Sequence, residues 1–221
     1  MTTGNSSFHF NFLGQNLQLL SQKAIFWENE RTLIIADLHL GKVEHFRKAG
    51  IAIPGILAQK DYEVLNEIIK LYPVHTVIIL GDLFHSTFNQ GWAIFSAWLQ
   101  NHASLHFILV RGNHDILPDN LYELNHMKVY NDHLIKNPFI FSHVPIDKDT
   151  NLYNLAGHIH PSVKLTGKGK QEVILPCFYF GKSKGILPAF GSFTGKGRIL
   201  IESGDSIFVV FNNQVIPLLD N

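Results

Sequence analysis

Five short apolar runs in this chain each lead straight into a residue able to bind a divalent cation, and no other feature restricts the fold as tightly. Residues 32–36 run into Asp37 and His39, 76–80 into Asp82 and His85, and 105–110 into Asn113, His114 and Asp115; 139–141 lead to His143 and 152–156 to His158 and His160. The runs are rich in Ile, Leu, Val and Phe and are bounded by polar residues or glycine, the pattern of buried strands. Between them, residues 56–71 place Leu57, Val64, Leu65, Ile68, Ile69 and Leu71 near helical spacing, and 91–101 do the same with Trp92, Phe95, Trp98 and Leu99. A shorter helix is predicted over 43–48, ending at Gly50. Strands alternating with helices predict an α/β architecture.

After Pro161 the pattern changes. Residues 162–166, 172–180, 185–190, 198–202, 206–211 and 214–218 read as strands joined by turns containing Gly, Lys and Asn, with no helix among them. Residues 8–12 with 17–26 predict an N-terminal hairpin. No low-complexity linker interrupts the chain, so the expectation is one domain over 1–221, two sheets packed face to face with helices outside. At 221 residues, 46% hydrophobic and 16% charged, the chain is large enough for such a core, and disorder or a coiled coil is excluded. Gly181-Lys182-Ser183 is not a nucleotide-binding loop, because Pro176 stands where that motif requires its first glycine.

Eighteen basic and eighteen acidic residues cancel, so net charge gives no argument for nucleic acid. The single cysteine, Cys177, can form no internal disulfide and points to a reducing, cytoplasmic setting. No basic segment followed by an apolar one opens the chain, and no stretch of 18 uninterrupted apolar residues occurs; secretion and membrane spanning are not expected.

In open α/β sheets, sites form where the carboxyl ends of strands converge, so five strands would deliver their ligands to one rim. Asp37 and His39, like His158 and His160, are two residues apart, a spacing that puts both side chains on one side of extended backbone. Gly41, Gly81, Gly112 and Gly157 adjoin these positions, where backbone must crowd a small site. Carboxylate, amide and imidazole without thiolate suit Mn²⁺, Fe²⁺ or Zn²⁺. Seven such groups exceed the needs of one tetrahedral ion, which implies two metals sharing a carboxylate, a device that clamps both oxygens of an in-line displacement at phosphorus.

The series Asp37-Leu38-His39, Gly81-Asp82, Gly112-Asn113-His114-Asp115, Ser142-His143 and Gly157-His158-Ile159-His160 resembles the calcineurin-like metallophosphoesterases in order and interval. The resemblance implies a four-layer α-β-β-α sandwich with two mixed sheets. It also implies that Asp37, His39, Asp82 and His160 hold one metal and Asp82, Asn113, His143 and His158 a second. A hydroxide between the ions would attack phosphorus, His114 would stabilise the developing charge or protonate the leaving oxygen, and Asp115 would orient its imidazole. The fourth motif departs from the usual Gly-His in having Ser142, for which a local backbone change is expected. No arginine follows Asp82 as it does in the protein serine/threonine phosphatases. Residues 36–42, 46–50 and 53–55, with Leu187-Pro188-Ala189-Phe190-Gly191-Ser192-Phe193-Thr194-Gly195, are similar to the ligase-associated DNA damage response endonucleases. That similarity implies a Mn²⁺-dependent phosphodiesterase that nicks DNA beside a ligase and a helicase in bacterial repair.

Two alternatives stand beside this one. The same chemistry would serve a nucleotide or a small pyrophosphate-containing metabolite, and a catalytically silent scaffold would use the fold to hold partners. The intact set of motif residues argues against the scaffold. Lys42, Arg47 and Lys48 lie near the first motif and are expected to meet a substrate phosphate; His85 is a further candidate contact. Residues 161–200 carry six lysines and one arginine against one glutamate, which suits either a phosphate-binding rim or a solvated sheet edge.

Overall fold

The computed structural model describes residues 7–42, 57–84, 90–123, 127–147, 151–167, 169–192 and 194–218. The N-terminal residues form an antiparallel meander, β1 (Ser7–Phe12), β2 (Gln15–Leu20) and β3 (Ala24–Trp27), which continues into β4 (Thr32–Ala36). From β4 onward the pairing is parallel. Helices α1 (Leu57–Leu71), α2 (Gln90–Asn101) and α3 (Asp119–Glu123) alternate with β5 (Thr76–Leu80), β6 (His106–Val110) and β7 (Met127–Tyr130), giving a seven-stranded sheet in the order β1 to β7.

The second sheet is mixed. It contains β8 (His133–Lys136), β9 (Phe139–Ser142), β10 (Tyr153–Ala156), β11 (Pro161–Thr166), β12 (Glu172–Phe180), β13 (Lys184–Ile186), β14 (Gly197–Arg198), β15 (Ser206–Phe211) and β16 (Gln214–Leu218). Its strand order is β14-β11-β12-β13-β10-β9-β8, with the β15–β16 hairpin paired on β12.

Strand alternation decides which residues face which layer. Leu33, Ile35, Val77, Ile79, Phe107 and Leu109 point to the helices, where they meet Leu65, Ile68, Trp92, Phe95, Trp98 and Tyr122. Ile34, Ala36, Ile78, Leu80 and Val110 point the other way, against Phe139, Phe141, Leu155, Phe178 and Phe180 of the second sheet. Strands buried on both faces read as continuous apolar runs, which is why β4, β5 and β6 were legible in the sequence. Along β12, Cys177 turns away from the intersheet core into a smaller cluster with Val163, Leu175, Ile207 and Val209.

The predicted layers are observed, with several differences of detail. Residues 17–26 are two strands rather than one arm of a hairpin, because a turn at Ser21–Lys23, with Lys23 at φ 65°, reverses the chain. β7, β8 and α3 were not foreseen; each has only four or five residues, too few for a periodic signal. Residues 198–202 contribute strand only at Gly197–Arg198. The predicted strand over 185–190 stops at Ile186. Beyond it, Leu187 N–H still bonds Ala156 of the second sheet, but Phe190 N–H bonds the Ala36 carbonyl and Gly191 N–H that of Asp37, both in the first. This segment straps the two sheets together. The helix predicted over 43–48 lies outside the described residues.

Candidate metal centre

The five ligand-bearing strands belong to different sheets, β4, β5 and β6 to the first and β9 and β10 to the second. The rim expected of one open sheet is therefore a seam between two. On the first-sheet side, the loops after β4 and β5 keep parallel pairing past the strand ends. His39 N–H bonds the Asp82 carbonyl (2.8 Å), Leu40 N–H bonds that of Leu83 (2.8 Å), and Asp37 N–H bonds that of Gly81 (3.2 Å). On the other side, Gly157 N–H bonds the His143 carbonyl (3.0 Å).

Two ligand groups form at the seam, each drawing residues from both sheets. Nitrogen and oxygen atoms of Asp37, His39 and His160 lie within 4.8 Å of one another, as do those of Asp82, His143 and His158. Asp37 Oδ1 is 3.3 Å from His160 Nε2 and 3.8 Å from His143 Nδ1; Asp82 lies 3.7 Å from His39 Nε2 and 3.4 Å from His143 Nε2. Asp82 thus touches both groups. Asn113 Oδ1 sits 3.0 Å from His143 Nε2, which brings it to the second. All seven residues expected to bind metal converge.

The side chains do not converge for the reason of extended spacing. Asp37, His39, Asp82, His158 and His160 all have left-handed backbone, with φ between 50° and 67°. Asp and His tolerate that region better than most residues, but each instance away from glycine costs on the order of 1–3 kcal/mol and persists only where surroundings enforce it. Here the enforcement is visible. A Cβ at Gly112 would lie 2.4 Å from the Asp82 amide nitrogen and 2.4 Å from its Oδ1, and one at Gly81, itself at φ 71°, would lie 2.3 Å from His143 Nδ1. Only glycine lets the loops approach this closely.

The chemistry of the donor set fits metal. His143 Nδ1 is 2.9 Å from the Leu80 carbonyl, which can only accept, so this nitrogen carries the ring proton and Nε2 offers a lone pair. Around that lone pair stand Asn113 Oδ1, Asp82 Oδ1 and His158 Nδ1 (3.1 Å). Electron-pair donors crowded this way repel one another unless a cation lies among them. Asp37 is wholly buried and Asp82 nearly so, and among the described residues their ion-pair partners are all imidazoles. Burial lowers the His39 pKa to about 3, against the opposing pull of Asp82, and keeps the ring neutral as a ligand must be. Backbone amides help position the carboxylates: His158 N–H bonds Asp37 (3.0 Å) and His114 N–H bonds Asp82 Oδ1 (3.0 Å).

The remaining expectations divide. The His114 ring is half-buried, with its centroid 5.5 Å from that of His39. Asp115 is anchored on backbone amides. Its Oδ1 accepts from Leu83 N–H (2.9 Å) and its Oδ2 from Gly112 N–H (2.8 Å), so this carboxylate ties the second motif to the third, and burial pushes its pKa up to about 6. Ser142 donates its hydroxyl to the Val144 carbonyl (2.7 Å) and accepts from Asn154 Nδ2 (2.9 Å), bonds a glycine could not make. Lys42 is half-buried beside the centre; burial lowers its pKa and Asp82 opposes the shift. Arg47, Lys48 and His85 lie outside the described residues. Of the cations after Pro161, Lys164 and Lys184 pair with Glu172 and Asp147, which leaves a smaller surplus than the bare count. Sequence reasoning missed Asn154, which is buried and also bonds the Ile140 carbonyl (2.9 Å); nothing local marks an interior asparagine. From the second group an open groove of about 790 Å³ runs along Asn113, His143, Arg111 and His133.

Two packed sheets with carboxylates and imidazoles paired across their seam define a metallophosphoesterase. The chain belongs to the calcineurin-like phosphoesterase family, whose model matches residues 30–208. It is similar over 96% of its length to the nuclease MPE of Pseudomonas putida, with 30% identity, a TM-score of 0.81 and all of that chain covered. No curated protein matches. The family uses a dinuclear metal centre, the structure holds two candidate metal sites, and the chain is accordingly a metal-dependent phosphoesterase.

Proposed function

We propose that the chain is a Mn²⁺-dependent phosphodiesterase that nicks DNA in bacterial repair, a cytoplasmic enzyme working beside a ligase and a helicase, with residues 1–221 as one domain. The observation that carries the reading is the meeting of Asp37, His39 and His160 with Asp82, His143 and His158 at one seam, with Asp82 in reach of both groups. Asp37, His39, Asp82 and His160 would hold one ion and Asp82, Asn113, His143 and His158 the other. Bound there, two divalent cations would supply Lewis acidity and an activated water for in-line displacement at phosphorus. The mixed oxygen and nitrogen set, without thiolate, favours Mn²⁺ while accepting Fe²⁺ or Zn²⁺.

The chain's own groups do the rest. His114, whose amide is anchored on Asp82, would stabilise the developing charge or protonate the leaving oxygen. Asp115 fixes the loop from which His114 projects. Lys42 meets the substrate phosphate, and Arg47, Lys48 and His85 are assigned to substrate as well. The similarity to a nuclease supports a nucleic-acid substrate.

Activity should be measured for each of Mn²⁺, Fe²⁺ and Zn²⁺ against single-stranded DNA, duplex DNA, a cyclic nucleotide, an aryl phosphodiester and a phosphomonoester. Mn²⁺-dependent turnover of the aryl diester and DNA nicking are expected, both lost in His114→Ala with metal still bound. Metal-loaded protein inert toward every diester sinks the reading; turnover of cyclic nucleotide without DNA cleavage replaces DNA with a small substrate.

A further inference from the structure

On the His160 side of the seam the surface closes into a pocket of about 120 Å³ lined by Lys23, Ser192, Thr194, Gly195 and Lys196, with His160 also in its wall. Separate parts of the chain build it: the turn between β2 and β3, the strap and the loop after it, the connection from β10 into β11, and Pro176 of β12. Lys23 Nζ donates to the Gly191 carbonyl (3.3 Å) and Lys196 Nζ to that of Ile174 (2.8 Å). An ammonium has three donors, so each keeps two for a ligand. The described lysine and arginine ion pairs are those of Arg111, Lys136, Lys164 and Lys184; neither Lys23 nor Lys196 is among them.

Among the described residues, the carboxylate that acts on Lys23 is Asp61. Asp61 of α1 accepts the Ser192 hydroxyl (2.7 Å), which holds the loop in place. Its charge acts on Lys23 against burial, which lowers that ammonium to about 8, so Lys23 is mostly charged at neutral pH. Thr194 Oγ1 bonds the Gly191 carbonyl (3.2 Å), and Gly195 presents bare backbone.

Size and charge choose the ligand. At 120 Å³ the pocket is well below the roughly 300–1,000 Å³ that encloses a drug-sized molecule, so a nucleoside does not enter, whereas a compact anion does. His160 belongs both to this wall and to the first metal group, 3.3 Å from Asp37 Oδ1, so an anion held here lies immediately beside the reacting phosphorus. A small diester has no second phosphate to place there; a nucleic-acid strand has one a single nucleotide away. We propose that Lys23 and Lys196 bind the phosphate adjacent to the scissile one and thereby make the enzyme selective for a polynucleotide strand over a single phosphodiester. The proposal rests on the phosphodiesterase reading above.

The test compares kcat/KM for an oligodeoxynucleotide with that for an aryl phosphodiester, both with Mn²⁺, in the wild type, Lys196→Ala and Lys23→Met. The oligonucleotide-to-aryl ratio is expected to fall about tenfold in each variant, and the plot of log kcat/KM for the oligonucleotide against log salt to flatten by about 0.7. The ratio is internal to each protein, so a loss of folded Lys23→Met cancels from it, and exposed Lys196 gives a second variant. In a parallel arm, a neutral methylphosphonate next to the cleaved bond should slow the wild type about tenfold and Lys196→Ala less than twofold. Ratios unchanged in both variants, or a methylphosphonate without effect on the wild type, overturn the pocket while aryl turnover leaves the phosphodiesterase reading intact. Wild-type protein inert toward both substrates overturns that reading and this one together.

Discussion

The two sheets contribute different chemistry to the centre. The first, parallel from β4 onward and covered by helices, supplies oxygen: Asp37, Asp82 and Asn113, with His39 as its one imidazole ligand. The second, mixed, supplies only nitrogen, through His143, His158 and His160. Neither sheet alone holds a usable set, since three imidazoles lack charge to match a divalent ion and two buried carboxylates have only His39 as a nitrogen partner from their own sheet. The site is thus a property of the packing, and packing and metal binding must rise and fall together.

The sharpest way to break this division is on the oxygen side. Gly112→Ala would drive a methyl into Asp82, which serves both metal groups, and kcat on an aryl diester should fall by at least about 10³-fold, a barrier increase of about 4 kcal/mol. Near-native turnover would show that the loops have slack which the close approach denies. Next comes the interface itself. Phe141 is fully buried between the sheets, and Phe141→Ala should lower unfolding stability by about 3–5 kcal/mol in denaturant titrations while weakening metal affinity as well. Stability loss with unaltered metal binding would contradict the coupling.

Metal should in turn hold the sheets. Mn²⁺ at about one hundred times its Kd should raise unfolding stability by about 2.7 kcal/mol, and chelation should remove the gain, as read by thermal melts. An identical melt with and without chelator would argue that the ligands are assembled without the ion. The smallest effect tests the nitrogen side alone. Asn154→Ala removes bonds to Ser142, Ile140 and Ile146 beneath His143, and should cost about 1–3 kcal/mol. It should also weaken one of two bound Mn²⁺ by about 10–100-fold in calorimetry, leaving the other site near its original affinity. Equal weakening of both would mean that the two halves are less separable than their ligands suggest.

The sequence disclosed ligand types and order because each sits at the end of an apolar run, and those runs were legible because strands buried on both faces carry little else. It did not disclose which sheet a run joins, since residues 139–141 and 76–80 look alike in composition and differ only in long-range pairing. The left-handed backbone at five ligands was equally hidden; spacing of two suggested extended chain, and the conformation is imposed by loops far away. The bonds of Asp115 to the amides of residues 83 and 112 were hidden as well, because proximity in sequence to His114 carries no information about them. Lys23 escaped notice for the same reason, as its neighbours come from the other end of the chain.

The strap over Leu187–Gly191 has a consequence in time. The carbonyls of Ala36 and Asp37 find their hydrogen-bond donors in Phe190 and Gly191, which leave the ribosome about 150 residues later. A nascent polypeptide therefore carries an unfinished first turn until the strap has been made.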